Sequence, residues 1–187
     1  MARLVAIKVG GGLAAEEGRF AATCETIAWA ARSAPIVVLP GGGPFADAVR
    51  AFDARHRLSA PAAHWMAILG MDQYAHALAD RIAGASLVDA PADVRPVLAA
   101  GRVPVLAPYR WLRAADPFEP GWDTTSDSLA AWMAGVLGAT RLVLVKPVEG
   151  KAEDLVDRRF AHSRPADLEV TAVAAGDGEA LIRAVAG

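Results

Sequence analysis

Three consecutive glycines occur twice within the first 43 residues, each time just after an apolar run: Leu4–Val9 leads into Gly10–Gly12, and Ile36–Leu39 leads through Pro40 into Gly41–Gly43. Glycine triplets fit poorly inside helices or strands, so each must be a turn. A buried strand that ends in such a turn leaves backbone N–H groups bare at its carboxyl end, and bare N–H groups hold anions. Lys8, two residues upstream of the first triplet, adds a positive charge. Two loops of this kind in one small chain point to a site for two phosphate- or carboxylate-bearing molecules, and so to phosphoryl transfer.

The bulk properties narrow the setting. A length of 187 residues suits one domain over 1–187, and 54% apolar against 21% charged residues makes it globular. A net charge of -2 offers no electrostatic case for nucleic acid or an anionic membrane as partner. Four histidines and a single cysteine, Cys24, exclude a disulfide framework or a zinc cluster, and no metal ligands are expected. One thiol suits a reducing cytoplasm, the expected location. No apolar stretch reaches the roughly 18 residues of a membrane span. The opening MARLVAIKVGGG lacks the features of a signal peptide and reads as a first strand.

Short β-branched runs alternate with alanine-rich helical stretches. Strands are expected at Leu4–Val9, Ile36–Leu39, Ser86–Val88, Val103–Leu106, Leu142–Val145 and Glu169–Val173. Helices are expected at Ala15–Ser33, Pro44–Arg57, Ala62–Ala83, Asp127–Leu137 and Glu179–Val185, and the proline-bearing stretch Ala107–Thr125 is expected to be loop. Unbroken apolar strands imply burial on both faces. Strand–helix alternation implies an α/β fold with a mostly parallel central sheet. In such sheets ligands sit beyond the carboxyl ends of the strands. Both glycine loops, and the segment Lys146–Lys151 after Leu142–Val145, should then converge on one edge.

Each candidate residue has a plain reading beside the functional one. Lys8 either reaches phosphate oxygens or snorkels from a strand end. Gly10, Gly11 and Gly12 either cradle phosphate or form a tight turn. Gly41, Gly42 and Gly43 precede Pro44 and a helix, whose N-terminus favours an anion on an acceptor. Asp47 favours the helix start. Arg50 either pairs with a substrate anion or is solvated. Thr125 is an N-cap candidate, and Asp127 either serves the first turn of its helix or holds two lysines around a transferring phosphate. Lys146 either clamps nucleotide phosphates or merely ends a strand. In the middle helix, His64, Trp65, Asp72, Gln73 and His76 are candidates for holding the acceptor. Asp72 and His76 share a face as a surface pair or as a grip on a cation. Trp65 and Met66 read as core.

The pieces IKVGGGL, VVLPGGGPFADAVR, TTSDSLAAWMAGVLGATRLVLVKPVEG, LVDRRF and LEVTAVAAGD, in this order, resemble the amino acid kinase family, which includes acetylglutamate, glutamate, aspartate and uridylate kinases. The resemblance implies a three-layer α/β/α sandwich with an acceptor half (1–106) and a nucleotide half (107–187). It implies ATP and Mg²⁺ as cofactors, a small-molecule phosphate acceptor and a homo-oligomer. By it, Lys8, Asp127 and Lys146 are catalytic. Gly10–Gly12, Lys146, Val148, Gly150 and Lys151 meet the nucleotide, and Gly41–Gly43, Arg50, Asp72 and Thr125 meet the acceptor. Gly12 stands where the family's first loop usually has serine, and Lys146-Pro-Val-Glu-Gly where it usually has TDVDG. The stretch after Gly150 is shorter than in many members, so Lys146 or Lys151 takes the place of the second lysine. GGGPFAD, AAHWMAILGMDQYAHALAD and VLVKPVEG look most like a short subgroup similar to the kinase of methanofuran-type cofactor synthesis. This implies 5-(aminomethyl)furan-3-ylmethyl phosphate as acceptor and its diphosphate as product. A nucleotide monophosphate, isopentenyl phosphate or a carboxylate as acceptor, and a non-catalytic oxyanion-storage protein of the same fold, stay open.

Overall fold

Lys8 lies on the second-to-last residue of a central strand, and the sheet around it decides where its side chain goes. The computed structural model describes residues 3–187, so the first two residues of the expected 1–187 unit lie outside it. Six strands form one sheet: β1 (Val5–Val9), β2 (Ile36–Pro40), β3 (Ala85–Val88), β4 (Val103–Leu106), β5 (Arg141–Lys146) and β6 (Glu169–Ala174), in the order β3-β4-β2-β1-β5-β6. Every pairing is parallel, with Lys8 opposite Leu39 of β2 and Leu144 of β5. Parallel pairing needs a crossover for each return, and the alanine-rich helices supply it.

Alternation along the strands splits the core in two. Val5, Ile7, Val9, Val38, Val143 and Val145 pack with α1 (Glu17–Ala30), the second half of α3 (Ala60–Arg81) and α8 (Gly178–Ala186). Ala6, Leu39, Leu142 and Leu144 pack on the other face with α6 (Ser126–Val136), α4 (Pro91–Ala99), α5 (Tyr109–Ala115) and α7 (Phe160–Ser163). This is the three-layer α/β/α arrangement. α2 (Gly43–His56) lies along α3, close enough that a Cβ on Gly70 would fall 2.9 Å from the Ala46 nitrogen.

The strands sit where the apolar runs place them, but some helices do not. The first helix begins at Glu17 rather than Ala15, because Gly11–Ala15 winds into a 3-10 turn. The Ala107–Thr125 stretch is not all loop: α5 lies inside it, its first N–H accepted by Asp72 Oδ1 at 2.9 Å. That cap comes from α3, 37 residues away, so no local pattern announces it. α4 was not expected, although Pro91 and Asp93 in its first turn are good start signals; Pro96 within it obscures the pattern. Met66 is a second correction, being 36% exposed rather than core. No helix among the described residues is long and apolar enough to cross a membrane.

Candidate active site

Lys8 and Lys146 occupy the same face of neighbouring strands, because Lys8 keeps step with Ala6 and Lys146 with Leu142 and Leu144. That face is covered by α6, whose N-cap is Thr125, its hydroxyl accepting the Asp127 N–H at 3.2 Å. Asp127 therefore projects from the first helical turn between the two lysines. Its Oδ1 lies 2.8 Å from Lys8 Nζ, an ion pair without an aligned hydrogen bond, and its Oδ2 accepts from Lys146 Nζ at 2.5 Å. Lys8 is only 3% exposed, so it neither snorkels nor ends in solvent. Lys146, not Lys151, joins this cluster. Lys151 is exposed, its ammonium 4.0 Å from Glu153.

Two ammonium groups around one carboxylate leave net positive charge in a buried place. Burial works to raise the Asp127 carboxyl, but both lysines outweigh it and hold it below the usual carboxylate range. Burial pulls the Lys8 ammonium below the ordinary lysine value; Asp127 opposes that pull and Lys146 adds to it. An entering anion would relieve the repulsion between the lysines.

The glycine loops meet as one structure. A Cβ on Gly11 would overlap the Gly43 backbone, one on Gly41 would lie 2.8 Å from the Gly11 nitrogen, and one on Gly12 would lie 3.2 Å from the Pro147 ring. The three loops thus converge on one edge. The amides do not all remain bare, however. Gly10 donates to Val145 O at 2.9 Å and Gly41 to Val9 O at 2.8 Å, extending the sheet by one rung each. Gly11, Gly12, Gly42 and Gly43, at the starts of the 3-10 turn and α2, line a cavity of about 230 Å³. Amides there have no partner within their own helix.

That cavity takes its other walls from Asp47 and Arg50 of α2, His64, Ile68 and Met71 of α3, and Gly121, Trp122 and Thr124–Ser126 of the segment before α6. Thr124, Thr125 and Ser126 lead directly into Asp127, so the lysine cluster adjoins this wall. Thr125 contributes less than expected, because its hydroxyl already donates to Asp157 Oδ2 at 2.6 Å. The neighbouring Thr124 hydroxyl is buried with no partner among the described residues. Burial lowers the His64 imidazolium below its ordinary value, which keeps the ring neutral near pH 7. Asp72 does not line the cavity. It is half-buried and held by Tyr109, and burial raises its carboxyl. Gln73 and His76 are exposed, and Trp65 packs edge-on against His64 with ring centroids 5.0 Å apart. Val148 and Gly150 are exposed on the segment after β5.

Four further residues shape the site. Asp157 accepts from Ser128 Oγ at 2.6 Å as well as from Thr125, tying the segment after β5 to the start of α6. Lys146 Nζ also donates to Leu155 O at 2.7 Å, fastening the same segment. Asp53 of α2 accepts the Trp122 indole N–H at 2.7 Å, and Thr124 supplies the free hydroxyl. Asp157, Leu155 and Asp53 act through partners 9 to 69 residues away in the chain, whereas the Thr124 hydroxyl has none among the described residues. The sequence marks Thr125 only as an N-cap candidate and carries no signal for Asp157 as its acceptor.

The residues in this cluster fit a triphosphate donor: glycine amides, two lysines and a carboxylate lie together at the carboxyl edge of a parallel sheet. Asp127 and Asp157 are already engaged by lysines and hydroxyls. Mg²⁺ commonly keeps several waters and binds through one or two carboxylates plus phosphates, so here it would ride on the nucleotide.

Comparison with known proteins agrees with this geometry. A [5-(aminomethyl)furan-3-yl]methyl phosphate kinase of Methanocaldococcus jannaschii is 30% identical over 115 residues, 62% of this chain and 53% of that protein. The match thus spans about half the relative's length. The fold is similar to a uridylate kinase from Archaeoglobus fulgidus, with TM-score 0.77 and 18% identity, covering 99% of this chain and 96% of that one. It is also similar to the UMP kinase of Ureaplasma parvum, with TM-score 0.62 and 12% identity over 80% of this chain and 68% of that one. A profile of the amino acid kinase family matches residues 3–150. With its parallel sheet, paired glycine loops and lysine cluster, the chain belongs to the amino acid kinase family.

Proposed function

We propose that the protein is an ATP-dependent kinase of a small phosphate-bearing acceptor, most consistent with 5-(aminomethyl)furan-3-ylmethyl phosphate going to its diphosphate. The observation that carries the reading is Asp127 holding Lys8 and Lys146 beside a cavity floored by glycine loops. A volume of about 230 Å³ lies below the ~300–1,000 Å³ of drug-sized ligand pockets, which favours a small acceptor. The relative in Methanocaldococcus jannaschii, named for the furan phosphate, supports the choice of acceptor.

In this reading residues 1–106 carry most of the acceptor site and 107–187 the nucleotide site, with Gly121, Trp122 and Thr124–Ser126 closing the acceptor cavity. A phosphate monoester is largely ionised near neutral pH, so its oxygen attacks without a general base. The new P–O bond forms to the γ-phosphorus as the bond to the β-phosphate oxygen breaks, releasing ADP. The chain's part is positioning and charge stabilisation. Gly11 and Gly12 amides with Lys8 hold the transferring group, and Lys146 balances the leaving side. Asp127 keeps both ammonium groups in register. Gly42, Gly43, Arg50 and the Thr124 hydroxyl hold the acceptor phosphate. Asp47 replaces Asp72 as the carboxylate for the aminomethyl cation, since Asp47 lines the cavity and Asp72 does not. Lys151, Val148 and Gly150 meet the nucleotide from the exposed segment. The same reading makes the protein a cytoplasmic homo-oligomer; the exposed Phe52 and Leu69 on α2 and α3 support the association.

The test is ATP consumption with the aminomethylfuran phosphate, uridylate, isopentenyl phosphate and acetylglutamate in parallel. Turnover is expected with the furan phosphate. ATP binding with no acceptor-dependent turnover would instead make the fold an oxyanion or nucleotide store. Lys8→Ala is expected to lose about 10²–10³ in kcat, as removal of an oxyanion donor does; an unchanged rate removes Lys8 from the chemistry.

A further inference from the structure

Trp122 stands between two cavities. On one side is the acceptor cavity of about 230 Å³. On the other is a cavity of about 480 Å³ lined by Asp123, Val156, Asp157, Arg158 and Arg159, and Trp122 and Thr125 belong to both walls. The ring is anchored from α2. Its indole N–H donates to Asp53 Oδ2 at 2.7 Å, and the Arg50 guanidinium lies 4.2 Å from the ring centroid. Arg50 and Asp53 are three residues apart and share a helix face. Asp53 is itself braced, its Oδ1 accepting the Leu58 N–H at 2.9 Å. A charge-assisted hydrogen bond along the ring edge and a cation over its face define both the plane and the position of the indole. A loop side chain held this way is a wall of fixed place.

We propose that Trp122 is the partition that sets acceptor size, admitting a compact phosphomonoester and excluding one that carries a nucleobase, and that Asp53 positions it. This rests on the kinase reading above. With the indole present, a phosphate seated on the glycine amides has only the smaller cavity for its organic part. With the indole gone, the two cavities join through the gap, and the extra room lies beside Arg158 and Arg159, where a larger polar group is accommodated. Arg50 remains part of the acceptor site and is left unchanged in the test.

The experiment compares wild type, Trp122→Ala, Asp53→Asn and the double variant in ATP consumption with the aminomethylfuran phosphate and with uridylate. Calorimetric binding of uridylate without ATP runs beside it. Trp122→Ala is expected to raise the ratio of kcat/KM for uridylate over the furan phosphate by about tenfold or more, the scale at which pocket walls discriminate. KM for ATP should not change. Asp53→Asn keeps an oxygen for Leu58 but removes the charged acceptor of the indole N–H. It should move the ratio the same way by less, and add nothing when Trp122 is already alanine. An unchanged ratio in Trp122→Ala overturns the proposal, as does an Asp53→Asn effect that persists undiminished in the double variant. If Trp122→Ala does not fold, Asp53→Asn decides alone, an unchanged ratio overturning the idea. If wild type turns over neither acceptor, the kinase reading fails and the binding arm judges the partition by itself. Uridylate binding strengthened by about tenfold or more in Trp122→Ala supports it, and binding equal to or weaker than wild type refutes it.

Discussion

The acceptor cavity and the segment 147–160 share one edge of the sheet, yet they are held in different ways. The cavity floor is backbone against backbone: Gly11 against Gly43 and Gly41 against Gly11, with sheet rungs from Gly10 and Gly41. The segment 147–160 is largely exposed and is fastened by side chains, Asp157 to Thr125 and Ser128, Lys146 to Leu155, and Arg19 to Pro147 at 3.2 Å. Asp127 and its lysines lie where the two regions meet. At Gly11 and Gly41 the floor has no room for an added atom because backbone stands in the way, whereas the segment depends on a few polar contacts that single substitutions remove.

The largest effect is expected at the junction. Asp127→Ala leaves two buried ammonium groups uncompensated and should cost about 3–5 kcal/mol, the usual penalty for breaking a buried ion pair. Denaturant unfolding with an activity assay reads it, and a loss under about 1 kcal/mol would mean the pair is not buried as described. The folded Asp127 carboxyl lies below its ordinary 3.8. Its contribution is therefore complete above that value and lost as pH falls through the lower folded one.

Next comes the floor. Gly11→Ala forces a methyl into the Gly43 backbone, which has no side chain to turn aside, and overpacking of this kind costs about 1–3 kcal/mol. Both glycine loops must shift, so turnover should fall with thermal stability. Wild-type stability and activity in this variant would separate the two loops.

Asp157→Ala tests the fastening of the segment. It leaves the Ser128 and Thr125 hydroxyls without their acceptor and should cost about 1–3 kcal/mol. KM for ATP should rise while binding of the acceptor is kept. Equal losses on both sides would show that the regions are not independent.

The smallest effect is reversible. Lys8 titrates below its ordinary 10.5, so the unfolded chain holds that proton more firmly and stability rises with pH across the interval between the two values. In the proposed mechanism turnover needs the ammonium and should fall in that same interval. A pH profile of kcat beside thermal melts checks this, and an alkaline loss that coincides with unfolding would take Lys8 out of the account.

The sequence by itself determined the sheet and the edge at which its glycine loops meet. Unbroken apolar runs ending in glycine read as buried strands closed by turns, and Lys8, Asp127 and Lys146 each keep a plain structural reading until their order along the chain is set beside the amino acid kinase family. The tertiary structure decided which groups remain free to act. Gly10 and Gly41 are committed to the sheet, Thr125 to Asp157 and Asp72 to Tyr109, while Thr124 and Asp47 line the cavity. It also chose Lys146 over Lys151, by the step of β5 against β1. Local pattern specifies which face of an element is apolar. Hydrogen-bond partners 29 to 69 residues away, as for Ser128 with Asp157 and Trp122 with Asp53, arise only when the elements pack.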